Sequence, residues 1–250
     1  MNISDSKIIV SGAASGFGYY LAERLSKISK KIIAIDKNVK LSENFPDSEN
    51  INSCVCDLTD HEKTSEVIRN IFLKDPDINI LINNAGVIHS EPIINLFNRK
   101  DKKHSYESWS KMLDINLSSV FNCSVNTLEQ MISHRTKGLI INISSISANG
   151  NMGQSVYSAA KSGVNALTKV WSKELSMFGI RVAGLAPGFF ETPSTHKSLK
   201  ENTIAKIKKE IPSKRFGELS ELAHAVKFII ENDYFNGKIL ELDGGLELSL

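Results

Sequence analysis

A tyrosine and a lysine in the second half of the chain are the residues best suited to acid–base chemistry. Tyr157 and Lys161 are four residues apart in a segment with helical patterning, so both side chains are predicted to lie on one helix face. A free tyrosine has a pKa of about 10, and a nearby ammonium group favours the phenolate and lowers that pKa. The pair is therefore predicted to exchange a proton with an alcohol or carbonyl oxygen at neutral pH. Taken alone, the same spacing also fits an exposed pair on a helix surface.

A glycine-rich segment follows the first predicted strand. It reads Ser-Gly-Ala-Ala-Ser-Gly-Phe-Gly from residue 11 to residue 18, and an amphipathic helical pattern begins directly after it. Glycine permits a tight turn and a close backbone approach, and the free N–H groups of a helix N-terminus favour a pyrophosphate. Glycine also ends strands for structural reasons alone, which is the competing interpretation. The dinucleotide contacts predicted here are Gly12, Ser15, Gly16, Phe17 and Gly18.

Acidic residues end the second and third predicted strands. Asp36 follows the glycine segment by about 20 residues, where a carboxylate accepts hydrogen bonds from ribose hydroxyls and repels a 2′-phosphate. This position favours NAD over NADP, although Lys37 beside it partly offsets the repulsion. The alternative is that Asp36 only caps a turn. Asp57 and Leu58 are predicted to bracket the adenine.

The elements that carry these residues alternate between strand and helix patterns, without an internal repeat or a domain boundary. Strands that are apolar on both faces and separated by helices predict right-handed βαβ units and a parallel sheet. The fourth strand leads into Asn84, Ala85 and Gly86, at the carboxyl edge where such sheets bind ligands. The predicted strands are Lys7–Ser11, Lys31–Asp36, Ile51–Asp57, Ile78–Ile82, Gly138–Ser144, Ile180–Leu185 and Lys238–Leu242.

Composition narrows the class of protein. The chain has 250 residues, is 41% hydrophobic and carries a formal net charge of +2, enough for one sizeable core and without the basic excess of a nucleic-acid-binding protein. No apolar run approaches the ~20 residues that span a bilayer, and the polar N-terminus has no signal-peptide core, so a cytoplasmic protein without a membrane partner is expected. Three cysteines and six histidines are scattered, and no Cys/His spacing indicates a metal site.

Four motifs in this order resemble the short-chain dehydrogenase/reductase family over nearly the whole chain. The glycine segment is similar to the family's T-G-x-x-x-G-x-G turn, with Ser11 in place of threonine. Residues 83–86 match its N-N-A-G segment, residues 157–161 its Y-x-x-x-K motif, and Pro187-Gly188 with Thr192 its P-G…T segment. The resemblance implies one α/β domain over residues 1–250, of the doubly wound Rossmann type. Its seven-stranded parallel sheet would run in the order 3-2-1-4-5-6-7, with helices on both faces.

The resemblance also implies a nicotinamide cofactor and further site residues. Asn116 would distort the helix after strand four and hold a water leading to Lys161, while Pro187, Gly188, Phe190 and Thr192 would wrap the nicotinamide. Tyr157 and Lys161 would contact the cofactor as well as the substrate.

A serine after strand five would hold the reacting oxygen, and two serines are candidates. Strand register against the family selects Ser145, whereas counting thirteen residues back from Tyr157 selects Ser144. Ser145 is preferred because a loop absorbs a deletion more easily than a buried strand changes register.

Three segments bear on how the protein binds its substrate and whether it forms oligomers. A mobile substrate lid is expected over about residues 189–215, and the stretch between Gly86 and Trp109 is longer than is usual for the family, so it either shapes the substrate mouth or is plain surface. The resemblance implies that the helices bearing Asn116 and Tyr157 form a subunit interface. The alternating Leu246, Leu248 and Leu250 are expected to pack on a partner subunit, so a homotetramer or a dimer is predicted.

The sequence therefore favours an NAD-dependent oxidoreductase that moves hydride between nicotinamide and a small hydroxylated or sugar-like secondary alcohol or ketone. One alternative is an NADPH-dependent 3-oxoacyl-(acyl-carrier-protein) reductase, which Asp36 disfavours. The other is a catalytically silent dinucleotide-binding regulator, which the presence of both Tyr157 and Lys161 disfavours.

Overall fold

Seven parallel strands form one twisted sheet in the computed structural model, which describes residues 1–45, 48–97, 101–198 and 200–248. The strands are β1 (Lys7–Ser11), β2 (Lys31–Asp36), β3 (Ile51–Val55), β4 (Ile80–Asn83), β5 (Gly138–Ile143), β6 (Ile180–Pro187) and β7 (Ile239–Leu242). Their order across the sheet is β3-β2-β1-β4-β5-β6-β7, so the predicted fold class and strand order are confirmed.

Two strands end at residues other than the predicted ones: a turn shortens β3, and pairing with β7 lengthens β6. β3 ends at Val55 because Asp57 instead accepts hydrogen bonds from the backbone N–H and the hydroxyl of Thr59, which turns the chain toward the next helix. β6 continues to Pro187 because its last residues pair with β7, with Pro187 opposite Leu242.

Helices follow most strands and reverse the chain. The α-helices are α1 (Gly16–Ser26), α2 (His61–Lys74), α3 (Tyr106–Leu113), α4 (Ser119–Ser133), α5 (Ser155–Glu174), α6 (Pro193–Ser198), α7 (Glu201–Glu210) and α8 (Leu219–Glu231). One π-helical turn, Asp114–Ser118, joins α3 to α4, and short 3-10 turns span Ile3–Asp5, Leu41–Asn44, Ile146–Asn149 and Ser176–Phe178. The Asp60 carboxylate caps α2 by accepting from the backbone N–H of Lys63.

Alternate residues of each strand enter cores on opposite faces of the sheet, as a doubly covered parallel sheet requires. On one face Ile8 and Val10 pack with Leu21 of α1 and Val226 of α8. On the other face lies a second core against α2, α4 and α5, which includes Ile9, Leu81, Phe72, Cys123, Met131 and Trp171. The sheet edge at the carboxyl ends of the strands is left for the loops that carry the site.

Leu246 packs inside its own chain, which corrects for this residue the expectation that a partner subunit covers it. Leu246 is buried in a small cluster with Ile211 and Phe216, and Leu248 lies against the same cluster. This cluster includes Ile146 of the loop that follows β5, so the burial of Leu246 does not need a second chain. Leu250 lies outside the described residues.

The segment expected to form a lid carries α6 and α7 over part of residues 189–215. No helix in the part of the chain that the structure describes is long and apolar enough to cross a membrane.

Candidate active site

The glycine segment forms a tight turn between β1 and α1. Gly12 and Gly16 have φ values of +66° and +55°, the left-handed region that glycine adopts without strain. A Cβ at Gly12 would lie 2.7 Å from the Cα of Ala85, whereas no atom of the described residues lies within 4 Å of a Cβ placed at Gly16. Gly12 therefore lets two strand ends approach, and Gly16 leaves open space in front of the helix. Ser15 begins α1 without a side-chain capping bond to the described residues, so the first-turn N–H groups are available to an anion.

A serine and an asparagine hold the ends of β1 and β4 together. The Ser11 hydroxyl accepts from the backbone N–H groups of Asn84 (3.0 Å) and Ala85 (3.1 Å). The Asn84 amide in turn donates to the carbonyls of Ser11 (3.0 Å) and Gly12 (3.2 Å). The predicted segment Asn84–Gly86 is thus fixed beside the glycine turn. The sequence singled out Ser11 only as a departure from threonine, and its bridging role was missed.

Asp36 lies at the end of β2 and binds two backbone groups. One carboxylate oxygen accepts from the N–H of Ala14 (3.0 Å) and the other from the N–H of Asn38 (2.9 Å). Asp36 therefore does close a turn, as the alternative interpretation expected. It also faces the glycine segment, and each of its oxygens keeps a free lone pair for a ribose hydroxyl.

Asp57 and Leu58 lie one strand further along the same edge. Burial raises the pKa of Asp57, but hydrogen bonds from Thr59 and the charge of Lys37 outweigh it and hold that pKa below its usual range. Lys37 thus acts on Asp57, and Leu58 is buried with its carbonyl bound to the Asn122 amide at 3.0 Å.

The structure brings Tyr157 and Lys161 together on the buried face of α5. The Lys161 ammonium lies 5.9 Å from the centroid of the Tyr157 ring and donates to the carbonyl of Ile143 at 2.8 Å. Only 7% of Tyr157 and 3% of Lys161 are exposed. Burial lowers the pKa of Lys161 to about 8, because the protein interior disfavours the ammonium form.

The pKa of Tyr157 moves in the opposite direction to the one predicted. Burial raises it, and the smaller contribution from the hydroxyl of Ser145 lowers it. In the chain by itself, desolvation of the phenol is a larger effect than the nearby ammonium, and a lowered pKa with the cofactor bound stays a prediction. The phenol is therefore held as a proton donor in this state of the protein.

The two candidate serines have different surroundings. Ser145 faces the Tyr157 phenol and also accepts from the backbone N–H of Ser147 at 3.1 Å. Ser144 is buried and turns away, its hydroxyl donating to the backbone carbonyl of Lys161 at 3.4 Å. Ser145 is thus the serine that geometry places beside the phenol.

Asn116 lies in the π-helical turn, fully buried. Its amide donates to the carbonyl of Met112 at 3.1 Å and its oxygen accepts from the N–H of Val87 at 3.0 Å. A Cβ added at Gly86 would lie 2.8 Å from this oxygen and 3.5 Å from the Lys161 ammonium. Asn116 therefore lies in a distorted turn and near Lys161, while its roles in distorting the helix and in holding a water stay predictions.

The loop after β6 contacts the glycine segment through an aromatic pair. A Cβ at Gly188 would lie 2.8 Å from the Cα of Asp243, next to Pro187. The Phe190 ring packs edge-on against Phe17 with centroids 5.2 Å apart, which joins the two loops. Thr192 accepts from the N–H of Thr195 at 3.1 Å and so caps α6.

Two structural supports of the site were missed at the level of sequence. Gly217 makes room for the aromatic ring of Phe190, since a Cβ there would lie 2.7 Å from that ring. Under the site, Asn83 donates to Asn142 at 2.8 Å, and Asn142 donates to Thr168 at 2.9 Å. The buried asparagines that end β4 and interrupt β5 were the available signal, because buried polar groups need partners.

The residues at this edge fit a nicotinamide dinucleotide. The open space at Gly16 and the uncapped start of α1 suit a pyrophosphate, and Asp36 suits a ribose. Ser145, Tyr157 and Lys161 converge at the other end of the same edge. A parallel sheet with a phosphate turn at one end and a phenol–ammonium pair at the other defines a dinucleotide-dependent oxidoreductase of the Rossmann type.

Comparison with known proteins identifies the family. The family described as short chain dehydrogenase matches residues 6–203. A 3-oxoacyl-(acyl-carrier-protein) reductase, FabG, of Thermotoga maritima is 33% identical over 98% of this chain and 99% of its own length. An acetoacetyl-CoA reductase of an Acinetobacter species is 31% identical and the FabG reductase of Escherichia coli 32% identical, with the same coverage. The chain belongs to the short-chain dehydrogenase/reductase family, whose members bind a nicotinamide dinucleotide, and the predicted family is confirmed.

Proposed function

We propose that this protein is an NAD(H)-dependent oxidoreductase that interconverts a secondary alcohol and a ketone. The observation that carries the proposal is the convergence of Ser145, Tyr157 and Lys161 beside Gly86 at the carboxyl edge of the sheet. The cofactor, when bound, supplies or accepts the hydride. Every other requirement of the reaction falls on side chains of this chain.

Tyr157 is the proton donor and acceptor at the substrate oxygen. In reduction of a ketone the phenol gives its proton to the oxygen as negative charge develops there, and in oxidation of an alcohol the phenolate takes it. Ser145 donates a hydrogen bond to the same oxygen and so stabilises that charge. Lys161, whose ammonium binds the Ile143 carbonyl, supplies the positive charge that makes the phenolate accessible. Asn116 positions the backbone around Gly86 next to that ammonium.

Asp36 supports NAD rather than NADP as the cofactor. Its carboxylate lies within hydrogen-bond distance of the glycine segment, so a 2′-phosphate would meet a negative charge at close range. Lys37 acts on Asp57, which reduces its capacity to compensate at Asp36.

The substrate is best described as a ketone on an apolar chain, and a 3-oxoacyl thioester is the specific candidate. The relatives named above include reductases of 3-oxoacyl-(acyl-carrier-protein) and acetoacetyl-CoA. The segments leading away from Gly86 and Ser145 also expose large apolar side chains, including Ile88 (74%), Leu96 (72%) and Met152 (98%). Such a surface suits an acyl chain better than the sugar-like substrate that the sequence suggested.

Self-association into a homotetramer or a dimer is part of the proposal. The π-helical turn and the outer faces of α4 and α5 form an apolar groove that includes Leu117, Phe121 and Leu167. Phe121 is 48% exposed and Val170 of α5 is 47% exposed. Sedimentation or light scattering should give a species of two or four chains, and a strictly monomeric protein would contradict this.

One assay series tests the whole proposal. Acetoacetyl-CoA, a small polyol and simple secondary alcohols are offered with NADH or NAD and, in parallel, with NADPH or NADP, while absorbance of the reduced nicotinamide is followed. Turnover of the thioester with NADH is expected. Activity with NADPH alone would overturn the cofactor assignment, and tight NADH binding without turnover of any substrate would favour a silent regulator.

A further inference from the structure

A cluster of two histidines and a glutamate lies outside the residues that the proposed reaction uses. The ring nitrogens of His89 and His104 and a carboxylate oxygen of Glu91 all lie within 4.8 Å of one another. The Nε2 of His89 is 3.1 Å, and the Nε2 of His104 is 3.7 Å, from the same oxygen, Glu91 Oε2. Fifteen residues separate the two histidines along the chain, so no sequence spacing showed that they meet.

The tautomer of His104 leaves one of its ring nitrogens, Nε2, without a hydrogen-bond partner among the described residues. Its Nδ1 lies 3.1 Å from the backbone carbonyl of Glu91, and since a carbonyl only accepts, Nδ1 carries the proton. In a neutral imidazole Nε2 then holds a lone pair, and it points toward a carboxylate oxygen that also only accepts. The His104 side chain is only 5% exposed, and its Nε2 is buried without a hydrogen-bond partner among the described residues. A cation between Nε2 and the carboxylate satisfies both groups.

Outer contacts hold two of the three side chains, His104 and Glu91, as metal ligands are held. A histidine that binds a metal usually donates its other N–H to a carbonyl or carboxylate, which is what His104 does with Glu91. The second oxygen of Glu91 accepts from the backbone N–H of Ser105 at 2.8 Å, which leaves Oε2 for the cluster. The Trp109 ring packs edge-on against His104 with centroids 6.3 Å apart and so fixes its orientation.

The distances and the donor set select the kind of metal. Ligands about 2.0–2.1 Å from a tetrahedral zinc ion are about 3.3 Å apart. Here each histidine nitrogen lies 3.1 Å or 3.7 Å from the Glu91 oxygen, and the two histidine nitrogens lie within 4.8 Å of each other, so binding requires a small approach of the two rings. Two imidazoles with one carboxylate are a known donor set for Zn²⁺, while Ca²⁺ and Mg²⁺ prefer oxygen ligands.

We propose that His89, Glu91 and His104 form a zinc site that closes the long segment after Gly86, beside the turn in front of α5. The segment is closed on itself by the N–H of His104, which donates to the carbonyl of Ile93 at 3.0 Å. It is joined to that turn by the N–H of Glu91, which donates to the carbonyl of Gly153 at 2.7 Å. Gly153 lies four residues before Tyr157 in the sequence, so this contact connects the zinc site to the start of α5. The segment that carries the zinc ligands also carries the exposed Ile88 and Leu96.

Zinc binding by tag-free full-length protein tests the site directly. The protein is freed of metal with a chelator, titrated with Zn²⁺ in competition with a chromogenic indicator, and its bound zinc is measured by mass spectrometry. One zinc ion per chain is expected, with a rise in melting temperature because the metal binds the folded state. Cobalt in place of zinc should give the intense visible bands of a tetrahedral site.

The variants His89→Gln and Glu91→Gln keep side-chain size and remove one ligand each. Either should weaken zinc binding by more than ~100-fold, beyond the 10–100-fold typical for loss of an outer contact. His196→Gln is the matched control, because His196 also contacts a glutamate, Glu191, at 2.6 Å but has no second histidine in its group among the described residues. It should bind zinc as the parent does.

Two results would overturn the proposal. One is parent protein that takes up no zinc and shows no zinc-dependent rise in melting temperature, which would mean that a proton on His104 satisfies Glu91. The other is zinc uptake that persists unchanged in His89→Gln and Glu91→Gln. Because His89 is 28% exposed, its variant is expected to fold, and circular dichroism verifies this independently of metal.

Discussion

The two ends of the candidate active site are built in different ways. At the nucleotide end, Gly12, Ser11 and Asp36 are bound mainly by backbone groups of neighbouring loops, and their carboxylate and hydroxyl groups are satisfied. At the chemical end, an ammonium and a phenol are removed from water, with pKa values displaced by burial. The nucleotide end is therefore a structural frame with free surface for a ligand. At the chemical end, burial disfavours the charged forms of both groups, the ammonium of Lys161 and the phenolate of Tyr157.

Of the variants considered, the one that removes the phenol at the chemical end is expected to have the largest effect on turnover. Tyr157→Phe should lower turnover by ~10²–10⁴-fold, because the proton donor is gone, while NADH affinity stays nearly unchanged since the nucleotide end is intact. Steady-state rates and NADH fluorescence titration measure the two quantities. Tyr234→Phe is the matched control, because Tyr234 is fully exposed. Full activity in Tyr157→Phe would contradict the mechanism.

Exchanging the two serines for alanine separates catalysis from packing. Ser145→Ala should lower kcat by ~10²–10³-fold through loss of a donor at the reacting oxygen. Ser144→Ala should instead reduce stability by about 1 kcal/mol, because its buried bond to the Lys161 carbonyl is lost, with kcat little changed. Equal losses of kcat in the two variants would remove the distinction drawn from geometry.

Burial of Lys161 predicts a pH dependence of stability. Its pKa falls from 10.5 to about 8 on folding, so the folded protein binds fewer protons and its stability rises with pH between about 8 and 10.5. At about 1.4 kcal/mol per pKa unit, the full gain is about 3 kcal/mol. Lys161→Met should lack this rise. Urea unfolding of both proteins without nucleotide, from about pH 7 to pH 10, measures it, and parallel curves would refute the assignment. Tyr157 contributes little over this range, because burial raises its pKa above its usual value of about 10 and the phenol stays neutral in both folded proteins.

Cofactor preference should respond more modestly at the nucleotide end. Asp36→Ser removes the charge that opposes a 2′-phosphate, so the ratio of kcat/KM for NADPH to that for NADH should rise ~10–100-fold, about 1.4–2.7 kcal/mol. Lys37→Gln should leave the ratio unchanged or lower it. A ratio unaffected by Asp36→Ser would show that the carboxylate only closes its turn.

Sequence patterns predicted well what local chemistry determines. The strand order and the family are confirmed, and β1 and β2 have the predicted ends because apolar runs there stop at a glycine turn and at Asp36. The catalytic and cofactor roles of individual residues stay predictions, although the structure places Ser145, Tyr157, Lys161 and Asn116 in one region.

The sequence predicted poorly the features that depend on packing between residues far apart in the chain. The raised pKa of Tyr157 follows from burial by several elements, which no local spacing reports. Leu246 packs on Ile211 and Phe216 of its own chain, a contact that required the path of the lid segment to be known. His104 meets His89 only because the intervening segment folds back at Ile93.

The fit between Phe190 and Gly217 links two positions in the evolution and engineering of this protein. The aromatic ring occupies the volume where a side chain at 217 would begin, and the bridge Phe190↔Gly217 fixes both backbones. A change at 217 alone therefore meets a collision, while truncation of the ring alone leaves a void beside Phe17. Viable sequences must change the pair jointly, so a library that reshapes this wall should randomise both codons together.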